Sequence, residues 1–394
     1  MENAIDSLNC FNSANIKSVA DKMSILKIHW ARFLILICAV SISAYVGNQF
    51  LSMHIPDPIY PNECKRAQLS DYFSDLAGTA GDTDIYLFEG DQEGATALIL
   101  GGTHANEPAS HITAVCLVEN IDVEIGRLII LPRANNSGFT HNDPQEGNPQ
   151  RFKIETPNGE RWFRYGSRYT NSIDQWPDPD VYEHYPSGQR LSGGETRNLN
   201  RSYPGRPDGS MTEKIGYAIM QLLKQERVDI AFDMHEASLE YPVINAVVVH
   251  ELAFDIGAEA VMYLQMEDIH FNLEPSPESF RGLSHREWGD GLGIPALLME
   301  SANPLQGRYH GKVSPDIVVT GKDKYNLQAA KSGLIEVDYP EDGIPLNLRV
   351  ARHMAGLATI LDAWNSNNPE NTISVNNLPL YDEINDRGIG AFLK

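Results

Sequence analysis

The stretch Thr96-Ala-Leu-Ile-Leu100-Gly-Gly-Thr-His104-Ala-Asn-Glu107-Pro108 decides the fold. It starts as a continuous apolar run, breaks at two glycines and leads into a helical pattern. A short apolar run without alternation suits a strand buried on both faces. Similar runs recur at Asp84–Phe88, Arg127–Leu131, Asp229–Asp233, Val243–Val249 and Pro295–Met299. Helical patterns lie between them, at Pro108–Glu119, Thr212–Gln225 and Glu251–Gln265, with a last one at Arg349–Trp364. Strands alternating with helices predict an α/β three-layer sandwich around a central, mostly parallel mixed sheet.

The chain has 394 residues, of which 42% are hydrophobic and 21% charged, with 31 Lys+Arg against 53 Asp+Glu. This composition excludes a disordered chain, a collagen-like chain and a multi-span membrane protein. A net charge of -22 argues against nucleic acid as a partner, because phosphates need clustered Lys and Arg. Residues 33–53 carry no charge, with Lys17, Lys22, Lys27 and Arg32 before them and no further base until Lys65. That is long enough for one tilted membrane span, and the charge bias puts the N-terminus inside and the rest outside.

The predicted organisation is a cytoplasmic segment over 1–29, a transmembrane signal-anchor over 30–53 and a linker over 54–75. A large α/β domain follows over 76–365, with an insert at 140–197, and then a polar, peripheral C-terminal tail over 366–394. Secretion after signal cleavage is the alternative to a retained anchor. Cys38 follows Ile37 rather than a small residue, which argues against a lipid anchor. Beyond the span only Cys64 and Cys116 remain, and they either pair outside the cytoplasm or stay free.

Ligands of open α/β sheets bind beyond the carboxyl ends of the strands. Three strand-like runs end there in chemistry-bearing residues. His104 and Glu107 follow the first, and imidazole with carboxylate suits zinc. His-x-x-Glu is equally a capping Glu beside an incidental His. Asp233 and His235 end the second, two apart and on one strand face, so that Asp233 can support a metal-bound imidazole. Glu300 ends the third, as a general base or as a surface residue. In the loop region, Arg197-Asn198-Leu-Asn200-Arg201 offers an anion clamp. Two His, one Glu and an open position make the catalytic zinc arrangement.

Taken together, these residues resemble the zinc carboxypeptidase superfamily, and most closely its succinylglutamate desuccinylase/aspartoacylase branch. The resemblance covers roughly residues 80–305. It rests on Gly101-Gly-Thr-His104-Ala-Asn-Glu107, Pro132-Arg-Ala-Asn135, Asn198-Leu-Asn200-Arg201-Ser-Tyr-Pro-Gly205, Asp233-Met-His235 and Glu300. It implies one zinc ion held by His104, Glu107 and His235, with Glu300 activating zinc-bound water. It also implies Asn200 and Arg201 on the substrate carboxylate. An oxyanion arginine is expected among Arg197, Arg190 and Arg168, with Arg197 favoured. The reaction implied is hydrolysis of an amide near a free carboxylate, in an N-acyl amino acid or a peptide. A metallocarboxypeptidase and a non-catalytic zinc-stabilised binding module are the alternatives. The chain departs from the family pattern at Asn198, where Asp is usual, and at Tyr203, where Phe is usual. Its insert is long, and only 94 residues follow Glu300, so a full extra β-domain is missing or shortened.

Overall fold

The computed structural model describes residue 22, residues 29–143 and residues 147–394, so most of the segment expected over 1–29 lies outside the described residues. Two units separate, Met1–Ile55 and Pro56–Lys394. In the first, helix α1 (His29–Ser52) is long and apolar enough to cross a membrane by length and composition. Its large apolar side chains, Phe33, Ile35 and Ile42 among them, are exposed. A helix of this length rises about 36 Å, against about 30 Å of hydrocarbon.

The second unit has helices α2 (Pro108–Asn120), α3 (Met211–Gln225), α4 (Phe254–Met266), α5 (Ser284–Leu292), α6 (Pro315–Thr320), α7 (Lys324–Lys331), α8 (Leu346–Asn367) and α9 (Tyr381–Arg387). Its strands begin with β1 (Lys65–Gln68), β2 (Asp84–Glu89), β3 (Gln92–Leu100) and β4 (Asp122–Leu131). Two short hairpins follow, β5 (Arg151–Thr156) with β6 (Gly159–Arg164), and β7 (Val181–Glu183) with β8 (Arg190–Ser192). The last strands are β9 (Ile230–Ser238), β10 (Ala246–Val249), β11 (Asn272–Pro275), β12 (Ala296–Asn303) and β13 (Ser374–Asn376).

Among the described residues, nine strands form one sheet in the order β1-β2-β4-β3-β9-β12-β10-β11, with β13 also on β4. The central four, β4, β3, β9 and β12, run parallel. The pairings that flank them, β2 on β4, β13 on β4 and β10 on β12, are antiparallel. The sheet is therefore mixed, with parallel strands where the continuous apolar runs were read. Successive residues point to opposite faces. Ile99, Ile130, Phe232 and Met299 pack in one layer with α2, α4 and α8. Leu98, Ile129, Ala231 and Ala296 pack in the other, with α3 and with Trp288 of α5. Both faces are covered, which is why each of the central strands carries a continuous apolar run.

Two segments differ from the sequence reading. The insert carries two hairpins where no periodicity was recognised. Phe152 and Ile154 alternate on β5 and bury into the main core. The C-terminal stretch read as a peripheral tail is built into the domain. Strand β13 joins the sheet, and Phe392 and Leu393 are buried in the core. Asn120 Nδ2 donates to Phe392 O at 2.7 Å, and Lys394 N donates to Glu119 Oε2 at 2.8 Å. A few apolar side chains in a polar sequence are enough to dock it. Cys64 and Cys116 are both free thiols, and Cys116 is buried on α2.

Buried ion pairs fix the loops around this frame. Asp57 is 2.8 Å from Arg133 Nη2 and 2.7 Å from Arg164 Nε, and all three residues are buried. Burial alone would raise the Asp57 carboxyl, but the two guanidinium groups hold it well below the carboxylate range. A depressed folded pKa contributes stability that is present above the unfolded value of about 4 and lost as pH falls below it. Asp57→Asn is expected to cost roughly 3 kcal/mol at neutral pH, because it leaves two buried cations without their carboxylate. It is also expected to flatten the loss of stability below about pH 4. Denaturant unfolding of wild type and variant at pH 7 and pH 3 checks both, and equal stability at pH 7 would contradict the account.

Candidate metal and catalytic centre

Gly101 and Gly102 turn the chain from β3 toward α2. Gly102 has φ +66°, and a Cβ there would lie 2.7 Å from Pro132 O, so the turn needs glycine. Glu107 caps α2 and Pro108 occupies its first turn. These constraints aim His104 and Glu107 at the end of β9. His104 Nδ1 lies 2.8 Å from Glu107 Oε1, and His235 Nδ1 lies 3.1 Å from Glu107 Oε2. The two Nδ1 atoms are 3.2 Å apart, and all three residues are about 1% exposed.

The outer ring nitrogens are anchored by acceptors. His104 Nε2 donates to Asn198 Oδ1 at 2.9 Å. Asn198 in turn donates from Nδ2 to Glu195 Oε2 at 2.7 Å, which fixes its amide orientation. Where the family pattern carries Asp, Asn198 still presents an acceptor. His235 Nε2 is 2.9 Å from Asp233 Oδ2, an ion-pair contact rather than a well-aligned hydrogen bond. Asp233 is itself held by Thr103 Oγ1 at 2.9 Å and Ser284 Oγ at 2.5 Å. With a cation bound, the outer nitrogens would keep their protons and both inner nitrogens would turn lone pairs toward it. Burial opposes charge on His235, but Asp233 and Glu107 raise it well above the imidazole range. Burial, reinforced by Arg168, lowers His104 to about 4. The junction favours one positive charge at its centre, and its three donors suit a zinc ion by type and number.

Glu107 is fixed from behind. Its Oε2 accepts from Glu236 N at 3.1 Å. Glu236 accepts from Ala109 N at 2.8 Å and from Arg349 Nη1 at 2.7 Å, in an ion pair with no exposed surface. Strand β9, α2 and α8 are thus tied to one ligand.

Glu300 stands beside this centre because it pairs in register with His235 across β12 and β9. In-register neighbours share a sheet face about 4.8 Å apart. Its Oε2 is buried without a partner among the described residues. Burial, against the lowering pull of His235, pushes its carboxyl up to about 8. His104, Glu107, His235 and Glu300 line a pocket of about 320 Å³ together with Arg168, Asn200 and Arg201.

The arginine assignment changes. Arg197 is spent elsewhere, with Nε and Nη2 on Asp178 at 2.8 and 3.0 Å and Nη1 on Thr170 O at 2.9 Å. Arg168 lines the pocket instead, with Nη1 3.3 Å from Glu107 Oε1. Arg190, on β8, is exposed. Arg201 lies over the Phe280 ring at 4.8 Å and reaches no carboxylate closer than Glu195 at 3.8 Å. Burial, reinforced by Arg168, lowers its guanidinium to about 10, against the raising pull of Glu195. Asn200 Oδ1 accepts from Ser284 N at 2.9 Å. Sequence reasoning missed the roles of Asn198 and Ser284. Asn198 was visible as a departure within a family motif, whereas nothing local marks Ser284.

The family described as the succinylglutamate desuccinylase/aspartoacylase catalytic domain matches residues 93–289. An N-alpha-acetyl-L-2,4-diaminobutyric acid deacetylase from Halomonas elongata is 28% identical over 164 residues, covering 41% of this chain and 34% of that protein. The chain thus matches about a third of the length of that curated relative. Among solved structures, the product-bound ectoine utilization protein EutE (DoeB) from Ruegeria pomeroyi is 22% identical. That comparison covers 62% of this chain and 63% of that one, with a TM-score of 0.38. A metallo-carboxypeptidase from Burkholderia cenocepacia is 13% identical over 81% of this chain and 68% of that one, with a TM-score of 0.45.

His184 provides a control, because its ring is committed to Ser187 Oγ and to Tyr203 O. His235→Ala and His104→Ala are expected to lose a bound divalent cation, while His184→Ala keeps it. Elemental analysis of purified protein checks this. A metal content unaffected by His235→Ala would refute the ligand set.

Proposed function

Because the chain belongs to the succinylglutamate desuccinylase/aspartoacylase family, we propose that it is a zinc-dependent deacylase that hydrolyses the amide of an N-acyl amino acid. The observation that carries this is Glu300, a buried carboxylate with an unpartnered oxygen, held in register beside the His104–Glu107–His235 junction. The matched deacetylase is named for an N-acetylated amino acid, and the same substrate class is proposed here. Zinc at His104, Glu107 and His235 supplies a polarised scissile carbonyl and an acidified water.

The chain's own residues do the rest. Glu300 takes the proton of the attacking water and passes it to the leaving nitrogen. Arg168, rather than Arg197, faces the charge that develops on the carbonyl oxygen. Arg201 supplies the charge that grips the substrate carboxylate, and Asn200 lines the pocket beside it. The apolar helix His29–Ser52 is the proposed membrane anchor, with the domain on the extracytoplasmic side.

Glu300→Gln is expected to lower kcat by about a thousandfold while the metal content stays unchanged. In wild type, kcat/KM is expected to fall about tenfold per pH unit on an acid limb, because protonated Glu300 accepts no proton. That limb lies at or below about 8, since a bound cation can only lower the Glu300 pKa. Arg168→Ala is expected to reduce kcat/KM roughly a hundredfold, as for loss of an oxyanion donor. Hydrolysis of a panel of N-acyl amino acids and short peptides, with and without chelator, is the measurement. Chelator-insensitive turnover would overturn the zinc reading, and turnover of peptides alone would move the enzyme to the carboxypeptidase class. For the anchor, protease added to the outside of intact cells should degrade the catalytic domain, and full protection would contradict the topology.

A further inference from the structure

The pocket continues across the sheet beyond the reacting centre. Asp233, Leu298, Val248 and Glu274 stand side by side on β9, β12, β10 and β11. In-register neighbours share a face, so this row lies on the face that carries His235 and Glu300. Leu298, Val248 and Glu274 all line the pocket. Its middle is therefore apolar and its far end acidic. The Glu274 carboxylate is half-buried and forms no hydrogen bond or ion pair among the described residues. His285, on α5 over the same face, also lines the pocket. It is 2% exposed, and neither ring nitrogen has a hydrogen-bond partner among the described residues.

A buried ring without a partner, such as His285, is a place where a ligand atom can complete a hydrogen bond. Burial, reinforced by Arg286, lowers the His285 imidazole to about 3, so the ring is neutral and one nitrogen can only accept. A carboxylate and a neutral acceptor together call for a donor that carries positive charge.

Building on the deacylase reading, we propose that the pocket selects an N-acyl amino acid whose side chain ends in a protonated amine. Glu274 is the counter-charge and His285 a second acceptor. The spacing favours a long side chain. Two interstrand steps, about 10 Å, separate the strand of Glu300 from that of Glu274. A lysyl side chain, about 6 Å from Cα to its amine, reaches farther along this row than a shorter amine-bearing side chain. Leu298 and Val248 lie under the methylene stem. Arg168 and Arg201 stay with the carbonyl and carboxylate end, so the two ends of the ligand are read by opposite charges.

The test separates binding from hydrolysis. Calorimetry on the full zinc-loaded chain compares L-lysine, L-norleucine and L-glutamate, the free amino-acid products. Hydrolysis of their Nα-acetyl derivatives is followed in parallel. Lysine is expected to bind at least about tenfold tighter than norleucine, and glutamate more weakly than either. Glu274→Gln should bring the lysine-to-norleucine ratio close to one, and His285→Leu should lower it several-fold. A wild-type ratio near one, a preference for glutamate, or a ratio unchanged by Glu274→Gln would overturn the proposal. Selective lysine binding that depends on Glu274, without hydrolysis of any acyl derivative, would uphold the pocket and overturn the deacylase reading. Hydrolysis without amine preference would do the reverse.

Discussion

Two imidazole nitrogens and a carboxylate face one another across about 3 Å in a buried site, and the surrounding structure is arranged to make them do so. Such a junction is unfavourable unless positive charge occupies its centre. The glycine turn after β3 brings His104 and Glu107 into place. Asn198 and Asp233 hold the rings from outside, and the Arg349–Glu236 pair fixes Glu107 from below. Each of these contacts costs desolvation or backbone freedom. They make sense as a preorganised cation site.

Sheet register connects this centre to its chemistry. Glu300 is a candidate base because β12 runs parallel to β9 and pairs it with His235. The same register, carried on through β10 and β11, lays the pocket floor from Leu298 to Glu274. The proposed base and the proposed amine site therefore occupy adjacent rows of one sheet face. The antiparallel pairing of β10 with β12 widens that face beyond the parallel centre. One fold constraint thus serves both ends of the ligand.

Much of this was legible in the sequence. His104, Glu107, His235, Glu300 and Asp233 all terminate apolar runs, and strand ends are where such sheets bind ligands. The structure brings all five together. The arginines were harder. Arg168 and Arg197 lie in the insert, where contacts across the loop rather than periodicity decide where a side chain points. Asp178, 19 residues from Arg197, captures it, and no local pattern signals that. The C-terminal segment misled for a related reason. Its composition is polar, yet Ile384, Ile389, Phe392 and Leu393 suffice to dock it. Alternation at Phe152 and Ile154, with Asn158-Gly159 as a turn signal, could have revealed the first hairpin.

The most direct test of the central claim is X-ray absorption at the zinc edge of the zinc-loaded full chain, with metal stoichiometry measured on the same sample. The account predicts one ion per chain in a shell of nitrogen and oxygen at about 2.0–2.1 Å, with scattering from two imidazoles. His104→Ala should remove one imidazole or abolish binding. A zinc ion bound without imidazole scattering, or a spectrum indifferent to His104→Ala, would contradict it.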